Sequence, residues 1–161
     1  MRYCLLLVAL CVLMVSPAPA ENSEKDISQS GDTVLSATLA KKRVIIRLHA
    51  VKLKRDDPGF PLALDQYNQA SLIKQMSISV DGENVWVPRS VYADLFNARR
   101  GSLTSENGVF VLLIGGADGA DSYSVHIRFN STQVMSRAVY NTMTPQRLSE
   151  KTVYSKTEVI G

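Results

Sequence analysis

The sequence predicts an all-β fold, mainly an antiparallel β-sandwich or a partly open barrel with one short helix. Several short segments alternate between apolar and polar residues, and turns rich in glycine, proline and asparagine separate them. Only one brief segment has helical spacing, so repeated strand and helix units are not indicated. An α+β fold is the alternative that the same pattern leaves open.

The N-terminus has the features of a cleaved secretory signal peptide, residues 1–20. An apolar run from Leu5 to Val15 leads into Ala18-Pro19-Ala20, which has the small residues that a signal peptidase accepts. The run is shorter than the about 20 residues of a transmembrane helix. A retained anchor, or bacterial lipid attachment at Cys11, is the less favoured alternative. Cleavage after Ala20 predicts a periplasmic or secreted product that lacks Cys4 and Cys11, the only cysteines, and therefore has no disulfide and no thiolate site.

Composition predicts one domain after this segment. Residues 21–33 are polar and predict a flexible leader, and residues 34–161 have the length of a single β-rich domain. The formal net charge is +3, but the basic residues are scattered and lack interleaved aromatics. This distribution argues against nucleic-acid binding, which needs a concentrated basic face.

The first half of the domain predicts three strands and a hairpin. Residues alternate from Val44 to Val51, which predicts a strand ended by the turn formers of 56–61. The stretch 62–72 has no clean period and predicts a loop. Two more strands, Lys74 to Val80 and Val85 to Val87, flank Asp81-Gly82, which is among the strongest hairpin signals because glycine tolerates a positive φ.

A short helix is predicted from Val91 to Ala98. Ser90 can cap its N-terminus, and Arg99-Arg100 followed by Gly101 suits its C-terminus. The helix is the one non-β element that the sequence indicates.

The second half predicts four more strands. Val109 to Ile114 is apolar on both sides, which predicts a strand in the middle of the fold that is covered on both faces. Tyr123 to Phe129 alternates strictly and predicts its half-buried partner. Val134 to Tyr140 forms the next strand after the turn at 130–132, and the more polar Thr152 to Ile160 suits an edge.

The glycine-rich turn between the two central strands could bind a metal ion, contact a partner, or simply close a hairpin. Asp118, Asp121 and Ser122 offer oxygens to calcium, but calcium needs six to eight, and the spacing is not that of the twelve-residue calcium loop. The prediction is a hairpin loop, with no metal and no cofactor. Gly115, Gly116 and Gly119 are assigned to backbone geometry.

Two basic pairs are the candidate ligand-binding residues. Arg47 with His49, and His126 with Arg128, each share one face of a strand because their spacing is two. If the two strands are neighbours, the four side chains form a cationic platform for a carboxylate, phosphate or sulfated sugar, which Trp86 could supplement. The two histidines alone make an incomplete zinc site.

These observations predict a non-enzymatic binding module, such as an inhibitor or immunity-type protein that contacts another protein through hairpin loops. The predicted contact residues are Asp81, Gly82, Glu83, Asn84, Arg89, Asp118, Gly119 and Asp121. A glycan or anionic small-ligand binder using the platform is one alternative. A hydrolase with a dispersed Ser/His/Asp site is another, although the sequence contains no G-x-S-x-G or H-E-x-x-H motif.

Overall fold

The computed structural model describes residues 23–58, 60, 64, 68–117 and 119–156, apart from the side chain of residue 120. These residues form two antiparallel sheets that pack face to face around one apolar core. The six-stranded sheet contains, in spatial order, β1 (Ser23–Asp26), β6 (Ala98–Glu106), β7 (Val109–Gly116), β8 (Tyr123–Phe129), β9 (Val134–Asn141) and β10 (Leu148–Val153). The four-stranded sheet contains β2 (Gly31–Leu39), β3 (Lys42–Lys54), β4 (Gln69–Val80) and β5 (Glu83–Val85). The predicted β-sandwich is confirmed.

Alternation of side chains decides which residues enter the core. In β3, Val44, Ile46 and Leu48 are buried, and Arg47 lies on the outer face. In β8, Ile127 and Phe129 are buried, and the intervening polar residues face outward. Each sheet therefore has one apolar inner face and one outer face whose side chains are available to bind a ligand.

The Asp81-Gly82 hairpin is confirmed between β4 and β5. Both residues have positive φ, 53° for Asp81 and 90° for Gly82, as a two-residue hairpin turn requires. The Asp81 carboxylate also accepts a hydrogen bond of 2.8 Å from the Arg43 backbone N–H. The side chain thus ties this turn to the neighbouring hairpin of β2 and β3.

The prediction of a flexible leader is wrong for residues 23–33. Ser23–Asp26 forms β1 on the edge of the six-stranded sheet and pairs with β6, and Gly31 begins β2. Ile27 between them is buried in the core. The polar side chains of β1 cannot order this segment, but its backbone hydrogen bonds to β6 do. One partner strand is enough, because β1 lies at the edge of the sheet.

The predicted helix at 91–98 is also wrong. Only Arg89–Val91 forms a single 3₁₀ turn, and the chain then crosses toward β6 through a further turn at residues 92–94. Val91 and Leu95 are buried as the helical pattern required, but Asn97 donates a backbone hydrogen bond of 2.8 Å to Ser71 of β4. Pairing with the other sheet therefore satisfies the backbone that a helix would have satisfied internally.

Strands β7, β8 and β9 occupy the predicted segments, and β7 lies in the middle of its sheet with β8 beside it. The sequence predicts that both faces of β7 are covered. In the described part of the chain, no third layer of structure covers its outer face. Side chains of neighbouring strands bury Val111, and Leu113 stays half-buried on the outer face. The apolar outer side of β7 is therefore the floor of an open surface.

Two predicted boundaries differ from the structure. β4 begins at Gln69, inside the predicted loop 62–72, of which 62–63 and 65–67 lie outside the described residues. The edge strand β10 is Leu148–Val153 and so begins before the predicted strand 152–160, of which 157–160 lie outside the described residues. The predicted signal peptide with its two cysteines lies outside the described residues, and within them no helix has the length and apolar character to span a membrane.

Candidate binding grooves

The two basic pairs do not form one platform. Arg47 and His49 lie on the outer face of β3, in the four-stranded sheet, whereas His126 and Arg128 lie on the outer face of β8, in the six-stranded sheet. Because the inner faces of the sheets pack together, the outer faces look in opposite directions. The platform prediction fails because β3 and β8 are not neighbours, and each pair lines its own groove.

The first groove crosses the outer face of the six-stranded sheet and is called the six-strand groove. Its volume is about 690 Å³. Strand register places Leu113, His126, Ala138 and Lys151 side by side on four adjacent strands. Ala138 is the smallest member of this row, so a hollow opens between its larger neighbours. The groove is lined by Thr104, Glu106, Val111, Leu113, His126, Arg128, Ser136, Ala138, Tyr140, Leu148 and Lys151.

The charged groups of the six-strand groove are partly paired. Arg128 donates to Glu106 at 3.1 Å. Among the described residues Lys151 has no ion-pair partner. The ring of His126 lies 4.9 Å from that of Tyr140. Burial lowers the pKa of His126, and the positive charge of Arg128 lowers it further against the opposing effect of Glu106. His126 is therefore neutral at pH 7, and Lys151 carries the uncompensated charge.

The second groove crosses the outer face of the four-stranded sheet and is called the four-strand groove. Its volume is about 570 Å³, and it is lined by Asp32, Val34, Arg47, His49, Gln75, Met76, Ser77 and Tyr92. Asp32 and His49 are register partners, and the Asp32 carboxylate lies 2.7 Å from His49 Nδ1. This contact turns the other ring nitrogen, Nε2, away from the carboxylate. Arg47 has no ion-pair partner in the described part of the chain.

Trp86 lies outside both grooves. It follows β5, where its backbone N–H donates to Thr132 at 2.8 Å and its carbonyl accepts from Val134 at 2.9 Å. Its side chain is 38% exposed. The tryptophan therefore stands at a junction of the two sheets, and the predicted aromatic supplement to a cationic face is not formed.

The predicted contact loops lie at opposite ends of the sandwich. Asp81, Gly82, Glu83 and Asn84 are exposed at the end where Trp86 meets the turn after β8. Gly119 and Asp121 belong to a 3₁₀ turn that precedes β8. The seven residues of β8 separate the two ends by about 20 Å, so the loops cannot form one continuous rim.

The remaining predicted contact residues lie apart from both loops. Arg89 is exposed on the segment that crosses between the sheets, and Asp118 lies outside the described residues. Contact of any of these residues with a partner protein stays a prediction.

Neither histidine is part of a Ser/His/Asp set in the described part of the chain. His49 contacts an acid, Asp32, but no serine hydroxyl is recorded at its Nε2 within the described chain. The six-strand groove places His126 against a tyrosine ring. Within the same described ranges, no three His, Cys, Asp or Glu side chains are grouped to hold a metal ion. The hydrolase alternative therefore has no assembled Ser/His/Asp site among the residues that the structure describes.

Sequence reasoning found Arg47, His49, His126 and Arg128 but missed Ala138, Tyr140, Lys151 and Asp32. Alternation places the first three on the outer face of their strands, which was the available signal. Their convergence depends on strand order, which no local pattern reveals.

The fold and the grooves define the chain as an antiparallel β-sandwich protein with an open groove on each outer face. Comparison of the chain with protein-family models, with curated proteins and with solved structures found no match.

Proposed function

We propose that this protein is an exported, non-enzymatic binding protein that takes a carboxylate-bearing sugar in the six-strand groove. The observation that supports the proposal is the apolar outer side of the central strand β7. Val111, Leu113 and Ala138 form a floor where an antiparallel sheet ordinarily presents polar residues to water. An apolar floor ringed by a few convergent polar groups is the general form of a ligand site.

The walls of the groove provide the complementary chemistry. Tyr140, held against His126, offers an aromatic edge beside the hollow above Ala138, and a sugar ring presents an apolar face to such a wall. Lys151 supplies a cation that has no ion-pair partner among the residues that the structure describes. The ion pair of Arg128 with Glu106 holds both side chains over the floor, where they can bond to hydroxyl groups.

The proposal is tested by titrating the protein with galacturonate and with galactose, its uncharged counterpart. Ala138→Leu fills the hollow from the outer face, and Lys151→Gln removes the free cation. We expect galacturonate to bind, and each substitution to weaken binding by about tenfold or more, the loss associated with one charged hydrogen bond or one blocked contact surface. Galactose binds more weakly than galacturonate, and Lys151→Gln leaves its affinity unchanged.

Lys52→Gln is the control, because it removes one exposed positive charge from the other sheet. Equal effects of Lys52→Gln and Lys151→Gln would show that the groove responds only to total charge. A number of galacturonate sites that Ala138→Leu does not reduce, or no binding at millimolar concentration, contradicts the proposal.

A further inference from the structure

The four-strand groove lies on the opposite face of the molecule from the six-strand groove and is lined by the same kinds of chemical groups. Both contain a cation without an ion-pair partner among the described residues, Lys151 in one and Arg47 in the other. Both contain a tyrosine, a histidine and a serine. Both also contain a carboxylate held by a basic side chain. The sequences of the strands that carry these groups are unrelated, so the repetition lies in chemistry and not in a motif.

Strand register places the polar groups of the four-strand groove within reach of one ligand. His49 is opposite Asp32 on one side and Gln75 on the other, and Arg47 is opposite Ser77. These residues therefore form two adjacent cross-strand rows on one surface, whose diagonal neighbours are about 7–8 Å apart. A six-membered sugar ring is smaller than this, but its exocyclic groups extend its span, so that the substituents on opposite sides of the ring can meet both rows.

Each group suits a different part of a sugar acid. The Arg47 guanidinium can bind a carboxylate through two parallel hydrogen bonds. The Asp32 contact to Nδ1 leaves His49 Nε2 to bond a hydroxyl group. Tyr92, half-buried on the crossing segment, supplies a wall beside these groups. The nearby Asp32 carboxylate disfavours a doubly charged ligand, which selects a monoanion with hydroxyl groups over a phosphate.

We infer that the four-strand groove is a second site for a carboxylate-bearing sugar, which makes the protein bivalent and able to cross-link chains of an acidic polysaccharide. The inference rests on the proposed function of the six-strand groove for the bivalency, although the four-strand site can be tested alone. Because the grooves open on opposite outer faces, one sugar residue cannot fill both. Each protein molecule therefore joins two polysaccharide chains, or two distant parts of one polysaccharide chain.

The test uses two probes, monomeric galacturonate in calorimetry and polygalacturonate in light scattering. The wild-type protein binds two galacturonate molecules and raises the scattering of the polymer. Arg47→Gln and Lys151→Gln each leave one monomer site with unchanged affinity. Each variant still binds the polymer but no longer increases its scattering, because a monovalent protein cannot bridge chains.

Arg43→Gln is the matched control for Arg47→Gln, since Arg43 is an exposed arginine on the same strand. Its backbone, and not its side chain, makes the contact with Asp81. It should keep two monomer sites and full cross-linking. Similar losses in Arg43→Gln and Arg47→Gln would overturn the inference.

The possible outcomes separate the two proposals. One site that is abolished by Lys151→Gln and untouched by Arg47→Gln supports the proposed function and overturns bivalency. One site that is abolished only by Arg47→Gln supports the four-strand site and contradicts the proposed function. No binding of either probe overturns both.

Discussion

At the scale of single residues, position 116 requires glycine because of the space that the Tyr123 ring occupies, and not because of the backbone conformation. The Tyr123 hydroxyl donates to the Phe96 carbonyl at 2.7 Å, which fixes the ring over the backbone of Gly116. A Cβ atom on Gly116 would overlap the end of this ring. Gly116 was assigned to backbone geometry from the sequence, but the structure shows that it makes room for a tyrosine.

We expect Gly116→Ala to destabilise the protein by about 1–3 kcal/mol, the range for overpacking a well-filled site. Chemical denaturation monitored by circular dichroism measures the change. Gly115→Ala is the control, because the nearest atom to its added Cβ is a carbonyl oxygen at 3.9 Å. Equal stabilities of the two variants would show that the Tyr123 ring moves away at no cost.

Arg137 is a second residue whose role the sequence did not reveal. Its side chain is only 4% exposed, and its guanidinium contacts Asp94 at 2.6 Å and Glu150 at 2.8 Å. It joins β9 to the crossing segment and to β10. Alternation along β9 places it on the inner side of the sheet, where a polar pattern alone predicts no arginine. Only the two distant carboxylates explain its burial.

At the scale of elements, β1 and the residue that follows it are integral to the sandwich. The strand completes the edge of the six-stranded sheet beside β6, and the Ile27 backbone N–H donates to Arg99 at 2.7 Å. The Ile27 side chain packs into the core. The segment of β1 has no apolar periodicity. It is ordered because it pairs with residues of β6 that lie more than 70 positions later in the sequence.

Ile27→Ala should lower the free energy of unfolding by about 2–5 kcal/mol, the range for deleting a buried aliphatic side chain. Urea denaturation of the two proteins measures the difference. Val153→Ala is the matched control on the opposite edge, where the side chain is 72% exposed, and should change stability by less than about 0.5 kcal/mol. A flexible leader, as the composition suggested, would instead give Ile27→Ala the stability of the wild type.

At the scale of the whole molecule, two partly buried titratable groups, His126 and Tyr123, limit the pH range of maximum stability. Burial lowers the pKa of His126, so protons bind the unfolded chain more readily than the folded one as the pH falls below about 6.5. Burial also raises the pKa of Tyr123, with the nearby Asp94 adding to the shift and Arg137 opposing it. The unfolded chain therefore loses the tyrosine proton first as the pH rises above about 10.

We expect stability to fall below about pH 6.5 and again above about pH 10. Urea midpoints measured between these limits and one pH unit beyond each will reveal both losses. His126→Gln should remove only the acidic decrease, and Tyr123→Phe only the alkaline one. If a variant keeps the pH dependence of the wild type, the other titrating groups of the chain account for it.

Local sequence determined most of the strands and the inward or outward direction of their side chains. Alternation in β3 and β8 predicted their buried faces, and Asp81-Gly82 predicted its hairpin, because a two-residue period and a positive φ are properties of a few neighbouring residues. The all-β class followed from the number of such segments. The outward positions of Arg47 and His126 were predicted for the same reason.

Only the tertiary structure decided which strands are neighbours, and with them the composition of each groove. It separated Arg47 from Arg128 by placing β3 and β8 in different sheets, brought Lys151 beside Ala138, and ordered the polar segment of β1. It also replaced the predicted helix near Val91 with a 3₁₀ turn and an irregular crossing segment. Each outcome depends on pairing between distant parts of the chain, whose free energy comes from contacts that a local pattern does not contain.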